Sequence, residues 1–305
     1  MKVMLDMTVP IAGAGADPAT DARAADDAPG HATAPLADRQ SLPWTLIDDY
    51  AGPLWSYVRG ARRMVEVAAS TRVGDRRHHA NQDAAVVEPM PDGSLVVAVL
   101  DAISGSLGVD VGQFRRKLVD DFALLLGSGS VKPIELVRRL DREAQRWLDR
   151  VAPDAATGAA IVVVRIDVDS GRVDWASAGD IRLLAFGTAR PAWLAQMRRS
   201  RARVLNAPAR STTSNRLTAA VGQSAPLRIE AGAMAMRPGH MLVLSTDGAS
   251  APLGETSAVL RAYADGNRLA GLEGLVNRLD RLAVEFAHGT VDDRTIVALA
   301  EGRST

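Results

Sequence analysis

Apolar and polar residues change their spacing several times along the chain, and each change predicts an element of secondary structure. Two apolar runs, AAVV and SLVVAVL, are joined by Pro91-Asp92-Gly93, which is typical of a β-hairpin. The next two segments, GVDVGQFRRKLVDDFALLLG and PIELVRRLDREAQRWLDRVA, each place their apolar residues on one helical face. The pattern therefore predicts two strands followed by a pair of amphipathic helices.

Further strands are predicted after this helix pair. The segment GAAIVVVRIDVDSGRVDWASAGDIRLLAF has turn signals at Asp169-Ser170-Gly171 and at Ala178-Gly179-Asp180, which favours an antiparallel meander. HMLVLSTDG predicts a strand, GLEGLVNRLDRLAVEFAHG a helix and RTIVALA a last strand. This order of elements predicts an α+β fold in which helices cover antiparallel sheets.

The first 70 residues differ in composition and spacing from the rest. Residues 1–40 are rich in Ala, Asp, Pro and Gly, which predicts a disordered tail. Residues 41–70 show apolar residues at roughly helical spacing with a break at Gly52-Pro53, and we interpret them as a helical N-terminal arm. The folded domain is accordingly predicted to span residues 71–303.

The overall composition narrows the classes of function. Lysine plus arginine and aspartate plus glutamate both number 36, so a zero net charge gives no general attraction to nucleic acid or anionic membranes. The absence of cysteine excludes thiol catalysis, disulfides and zinc–thiolate sites. No apolar run approaches the roughly 20 residues that span a bilayer. Asp6 and Pro10 interrupt the short apolar N-terminus, so we expect a cytoplasmic protein without a secretory signal.

Four aspartates stand where an apolar strand meets a loop. Asp101 ends VVAVLD and Asp247 ends LVLSTD, whereas Asp83 and Asp292 each precede a strand. Antiparallel neighbours bring strand ends of opposite direction to one edge, so these carboxylates are expected to converge. Clustered carboxylates ionise fully only around a cation, and oxygen ligands without His or Cys select Mg²⁺ or Mn²⁺. Each aspartate taken alone is more typical of a turn or a helix cap.

The order of these motifs resembles that of the metal-dependent protein phosphatases of the PP2C (PPM) family, over about residues 71–301. The corresponding segments are GDRRHHANQDA, VLDAISG, TGAAIVVV, ASAGDIRLLAF, LTAAVGQ, LVLSTDGAS and DDRTIVALA. The DSGR turn and the Asp-Asp-x-Thr ending resemble the bacterial branch that acts on regulators of sigma factors. The resemblance implies a four-layer α/β/β/α sandwich of two antiparallel sheets flanked by helix pairs.

The resemblance also implies a metal centre with two Mn²⁺ or Mg²⁺ ions, or three when a weaker position is filled. The residues implied as ligands are Asp83, Asp101, Ala102 through its carbonyl, Asp180, Asp247 and Asp292. Asp101 would be shared by the first two ions, and Asp180 would lie near the third. Two metal ions that share a water lower its pKa and direct it at phosphorus, so no protein nucleophile is required.

A phosphate-binding arginine is implied as well. Arg77 is its counterpart, with Arg76 as a neighbour able to replace it, and a guanidinium can hold two phosphate oxygens at once. Together with Asp83, Arg77 forms the implied catalytic pair. His78 and His79 lie beside this arginine, and their sequence context fits either a contact with phosphate or solvent-exposed loop positions.

These features predict a serine/threonine protein phosphatase that hydrolyses phosphoserine or phosphothreonine with Mn²⁺ or Mg²⁺. The implied partner is a phosphorylated protein, with a kinase or an anti-sigma-type regulator as candidates, and neither nucleic acid nor a membrane is expected. Four departures from the family pattern leave a second hypothesis open. Ala102 stands for the usual glycine, Gln82 for a glutamate and Ser104-Gly105 for a Gly-Gly pair, and the arginine is displaced by one residue. The alternative is a weak or inactive pseudophosphatase that serves as a regulatory binding module.

Overall fold

The computed structural model describes residues 44–46, 54–75, 81–103, 109–129, 132–155, 157–187, 203–204, 219–223, 226–249, 271–287 and 291–302. They lie within one compact unit, Arg39–Thr305. The strands are β1 (Trp44–Leu46), β2 (Leu54–Arg59), β3 (Met64–Arg72), β4 (Asp83–Pro89), β5 (Ser94–Ala102), β6 (Ala159–Asp167), β7 (Arg172–Ala178), β8 (Arg182–Gly187), β9 (Arg203–Val204), β10 (Glu230–Ala235), β11 (His240–Ser245) and β12 (Arg294–Gly302). The long helices are α1 (Val111–Gly127), α2 (Pro133–Val151) and α3 (Gly271–Phe286).

The strands form two antiparallel sheets. The first sheet has the order β1-β4-β5-β6-β7-β10, and the second has the order β2-β3-β12-β11-β8-β9. The central strands β5 and β6 are nearly continuous aliphatic runs, because side chains on both of their faces are covered. Buried aliphatic side chains from both sheets, such as Val97, Val164 and Leu299, form one core between them. The two sheets therefore pack face to face as a sandwich.

Helices cover the outer faces of this sandwich. The first sheet is covered by α1 and α2, whose apolar residues meet Ala98, Leu100 and Ile161 in a second buried cluster. The second sheet is covered by α3, which packs Leu275 and Leu279 in a third cluster. This layering confirms the predicted α+β fold with an α/β/β/α sandwich. Within the described residues, no helix is both long and apolar enough to cross a bilayer.

The predicted helical arm at 41–70 is wrong wherever the structure describes these residues. Residues 54–59 and 64–70 belong to β2 and β3, and β3 lies between β2 and β12 in the second sheet. A strand covered on both faces carries apolar residues at successive positions, so helical spacing can be found in it by coincidence. The predicted boundary at Thr71 falls inside β3, and the predicted tail at 1–40 lies outside the described residues.

The meander predicted through Ala178-Gly179-Asp180 is also wrong, because β7 and β8 belong to different sheets. Gly179 has φ 101°, and a Cβ at this position would overlap Ala160 on the neighbouring strand. Only glycine combines this conformation with so close an approach. The turn takes the chain from one sheet to the other and leaves Asp180 buried at the crossing.

Candidate metal centre

The first sheet contributes two carboxylates that are direct neighbours. β4 begins at Asp83 and β5 ends one residue after Asp101, and the antiparallel register pairs Asp83 with Asp101. Opposed residues in such a pair have Cα atoms about 4.5–5.5 Å apart. The hairpin predicted at Pro91-Asp92-Gly93 thus fixes the register that brings these two acids together.

The second sheet brings two more carboxylates to the same edge of the sandwich. β11 ends at Ser245, two residues before Asp247, and β12 begins at Arg294, two residues after Asp292. The strands are antiparallel with Ser245 opposite Ile296, so the end of one lies beside the start of the other. The crossing from β7 to β8 adds Asp180.

The raised pKa of Asp101 indicates that carboxylates from both sheets lie close enough to interact with it electrostatically. Burial raises the pKa of Asp101 well above its ordinary value of 3.8, and the negative charges of Asp83, Asp247, Asp180 and Asp292 raise it further. Five acids predicted as site residues therefore lie at the same edge of the sandwich, where the charges of the other four act on Asp101.

The pKa of Asp83 is set by opposing effects of burial, neighbouring charges and a hydrogen bond. Burial is the largest and raises its pKa well above 3.8, and the charges of Asp293 and Asp247 add to this. A hydrogen bond from the Thr246 hydroxyl opposes the shift, because it favours the ionised carboxylate. Asp83 is 1% exposed, whereas Asp101 keeps part of its surface accessible to solvent.

The chemistry of this donor set fits a hard divalent cation. All of its members are carboxylates, and a cation among them would offset both the burial and the mutual repulsion that raise their pKa values. Within the described residues, no three His, Cys, Asp or Glu side chains already stand close enough together to form a metal-binding group. The acids thus share an edge and an electrostatic field rather than a single coordination point.

Hydroxyl groups hold the buried acid of the first sheet against the second sheet. The Thr246 hydroxyl donates to Asp83 Oδ2 at 2.8 Å, and it accepts the Thr295 N–H at 2.9 Å. The Thr295 hydroxyl in turn lies 2.8 Å from that of Thr71. All of these threonines are fully buried. The network fixes the Asp83 carboxylate relative to β11 and β12.

Asn81 closes the same network from the side of β4. Its amide donates to Thr71 Oγ1 at 2.8 Å, and its side-chain oxygen accepts the Asp83 N–H at 2.9 Å. Sequence reasoning missed these residues, as it missed Asp293. The available signal is that Thr71 and Thr295 are polar positions in otherwise aliphatic strands, close to the strand ends that carry the acids.

The alanine that departs from the family pattern is accommodated by the strand. Ala102 is the last residue of β5, stands opposite Ala159 in the sheet, and donates its N–H to the Gln82 carbonyl at 3.1 Å. Any residue adopts such an extended backbone, so this position does not require glycine. Arg76, Arg77, His78 and His79 lie outside the described residues.

Thr246→Val is expected to weaken the acidic site, because it removes the hydroxyl that donates to the Asp83 carboxylate and accepts the Thr295 N–H. We expect a loss of about 1–3 kcal/mol in the free energy of unfolding and about tenfold weaker Mn²⁺ binding. Ser245→Ala is the matched control, because the buried Ser245 hydroxyl makes no hydrogen bond within the described part of the chain. Urea unfolding and calorimetric Mn²⁺ titration measure both effects, and equal behaviour of the two variants would contradict this role of Thr246.

Solved structures with the same fold include bacterial serine/threonine phosphatases. A serine/threonine phosphatase of S. agalactiae matches with a TM-score of 0.61 and 17% identity over 77% of this chain and 99% of its own. The M. tuberculosis serine/threonine phosphatase PstP/Ppp matches with a TM-score of 0.57 and 14% identity, over 77% of this chain and 98% of its own. RsbX in complex with magnesium matches with a TM-score of 0.54 and 12% identity, over 82% and 100%.

These similarities define the class of fold. No sequence model of a protein family and no curated protein sequence matches the chain. At such low identity the structural matches speak for the fold alone, and they confirm the PP2C-type fold that the motifs indicate. Nearly the whole length of each of the three solved chains is covered.

Proposed function

We propose that this protein is a metal-dependent phosphatase that removes phosphate from phosphoserine or phosphothreonine in a protein substrate. The proposal rests on the negative electrostatic field around Asp101. Acids from both sheets and from the crossing between them contribute to this field. This cluster lies at one edge of a sandwich shared with serine/threonine phosphatases. Fold and charge distribution together support phosphoryl hydrolysis better than any other chemistry.

The proposed ligands of Mn²⁺ or Mg²⁺ are Asp83, Asp101, the Ala102 carbonyl, Asp180, Asp247 and Asp292. Bound as two or three ions, the metal supplies a water of lowered pKa directed at phosphorus. The magnesium complex of RsbX, a protein with the same fold, supports this choice of cation. The chain itself contributes orientation: the register of β4 and β5 sets the first two acids side by side, and Thr246 fixes the Asp83 carboxylate. Arg77 is the proposed phosphate ligand.

A second candidate is a binding module with little or no turnover. It is favoured by the finding that no three acids in the described residues are arranged as a metal-binding group. Gln82 in place of a glutamate also favours the binding module, because an amide oxygen is a neutral ligand. Ala102 argues against the binding module, because the extended strand accommodates alanine at this position without strain.

The substrate is proposed to be a phosphorylated protein in the cytoplasm. We propose a kinase or an anti-sigma-type regulator as the partner. The Asp-Asp-x-Thr ending and the DSGR turn support this, because they resemble motifs of the bacterial branch that acts on regulators of sigma factors. The proposed catalytic unit extends from about residue 44 to residue 302, since β1 is a strand of the first sheet and β2 and β3 are strands of the second.

The proposal predicts turnover of p-nitrophenyl phosphate and of a phosphothreonine peptide in Mn²⁺ but not in EDTA. The ratio is expected to exceed about a hundredfold, because loss of even a residue behind the metal ligands costs 10–100-fold. Calorimetric titration with Mn²⁺, combined with the turnover assay, separates the phosphatase from the binding module. Binding with turnover supports the phosphatase, and binding without turnover supports the module. Absence of both would overturn the proposed metal centre.

A further inference from the structure

The carboxylate of Asp293 lies next to the proposed ligand Asp292 but is engaged elsewhere with both of its oxygens. Oδ1 accepts the N–H of Gly74 at 2.7 Å, and Oδ2 accepts the N–H of Gln82 at 2.6 Å. Asp293 is 8% exposed. Hydrogen bonds from N–H groups to a carboxylate are about twice as strong as neutral ones. Both oxygens of this acid therefore hold backbone N–H groups of the connection between β3 and β4.

These two N–H groups mark the ends of one connection between the sheets. Gly74 lies two residues after the end of β3 in the second sheet, and Gln82 lies one residue before β4 in the first sheet. A single carboxylate beside β12 thus ties together the two ends of the segment 75–81. By sequence, this segment contains Arg77, the proposed phosphate ligand.

The first end of the connection is also held by the backbone. The N–H of Asp75 donates to the Val291 carbonyl at 2.9 Å. A side chain at Gly74 would overlap the backbone of residues 291 and 292, so glycine permits this close approach. Gly74 and Asp75 are therefore pressed against the segment that carries Asp292.

The start of β4 is held to the second sheet at two successive residues. Asp293 holds the Gln82 N–H, and Thr246 holds the Asp83 carboxylate. The partners come from different loops at the end of the second sheet, one before β12 and one after β11. Two attachments on adjacent residues fix both the position and the rotation of the strand end.

We propose that Asp293 is a positioning residue of the phosphatase site. It fixes Asp83 relative to Asp292 across the gap between the sheets, and it fixes both ends of the segment that contains Arg77. It is not itself a proposed metal ligand, although it directly follows Asp292 in the chain. This inference rests on the proposed function for its kinetic consequences, whereas its hydrogen bonds can be tested without turnover.

Asp293→Asn tests the inference directly. The amide keeps one acceptor but turns an NH₂ group toward the second backbone N–H, so one of the two bonds is lost. We expect hydrogen exchange of the Gly74 or Gln82 amide to accelerate at least about tenfold, which corresponds to about 1.4 kcal/mol. Calorimetric Mn²⁺ affinity is expected to fall about 10–100-fold, as for a residue behind a metal ligand. At saturating Mn²⁺, KM for a phosphothreonine peptide is expected to rise more than kcat falls.

Asp92→Asn is the matched control. Asp92 also accepts a backbone N–H, from Ser94 at 3.0 Å, and it lies at the opposite end of the β4–β5 hairpin. This variant loses a comparable carboxylate at the end of the same strands, and it should leave Mn²⁺ affinity, KM and exchange of Gly74 and Gln82 unchanged. If Asp293→Asn weakens Mn²⁺ binding no more than Asp92→Asn does, Asp293 is not a positioning residue.

The remaining outcomes are equally decisive. Loss of Mn²⁺ binding in Asp293→Asn with unchanged exchange of Gly74 and Gln82 would overturn the inference, because it would make Asp293 a ligand. If Asp293→Asn does not fold, exchange in the wild-type protein decides. Neither amide has a backbone acceptor among the described residues, so slow exchange of both supports the carboxylate contacts and fast exchange refutes them. Absence of turnover in the wild-type protein would contradict the proposed function. The exchange experiment would still test the hydrogen bonds from the Gly74 and Gln82 N–H groups to Asp293.

Discussion

Asp101→Asn is expected to abolish Mn²⁺-dependent phosphatase turnover while the fold stays intact. Asp101 lies at the centre of the field to which acids from both sheets contribute, and it is the proposed ligand shared by two ions. Asparagine keeps the shape of the side chain but provides one neutral oxygen in place of two charged ones. Because loss of a residue behind the ligands costs about 10–100-fold, removal of the shared ligand should exceed about a hundredfold in kcat/KM.

The measurement is Mn²⁺-dependent hydrolysis of a phosphothreonine peptide, together with far-ultraviolet circular dichroism and Mn²⁺ calorimetry. Asp247→Asn should behave alike, because Asp247 raises the pKa of Asp101 from the second sheet. Asp92→Asn again provides the control, since it is the acid at the far end of β4 and β5. Turnover retained within a few-fold in Asp101→Asn would remove the basis of the proposed mechanism.

Much of the fold follows from the sequence because local signals are strong there. Turn residues such as Gly93, with φ 78°, and the helical spacing in α1 and α2 act within a few positions of the elements they define. The N-terminal strands are a different case. β3 takes its identity from β2 and β12, its partners in the second sheet, and β12 lies more than 200 residues later in the chain. Spacing within a short window cannot reveal a partner so distant.

The same limit applies to the site. Acids at strand ends are visible in the sequence, because each interrupts an aliphatic run at its boundary. The contacts that fix them are set by the packing of one sheet on the other, which local patterns do not encode. Thr246 and Asp83 meet across 163 residues, and Asp293 and Gln82 across 211. The acids could therefore be predicted from the chain, but the residues that hold them could not.

The order of stability between the wild-type protein and Asp101→Asn is expected to reverse when metal is added. In EDTA the variant should be the more stable protein at neutral pH, by about 1–3 kcal/mol, because burial and the neighbouring carboxylates penalise ionisation of Asp101 in the folded chain and the amide carries no charge. At 1,000 times its dissociation constant, Mn²⁺ should stabilise the wild-type protein by about 4.1 kcal/mol, which exceeds this advantage. For a domain of this size, that corresponds to a rise of roughly 8–16 °C in Tm.

The pH dependence of this difference follows from the raised pKa values. Below the ordinary value of 3.8, Asp101 is protonated in both the folded and the unfolded chain, so its charge has no effect. Above 3.8 the unfolded chain loses this proton first, and the folded wild-type protein loses stability as the pH rises through its raised pKa. In EDTA the advantage of Asp101→Asn should therefore grow from about pH 4 toward pH 8. Urea unfolding across this range measures it. A constant difference, or one that grows toward acid, would mean that the acids do not repel one another at this edge.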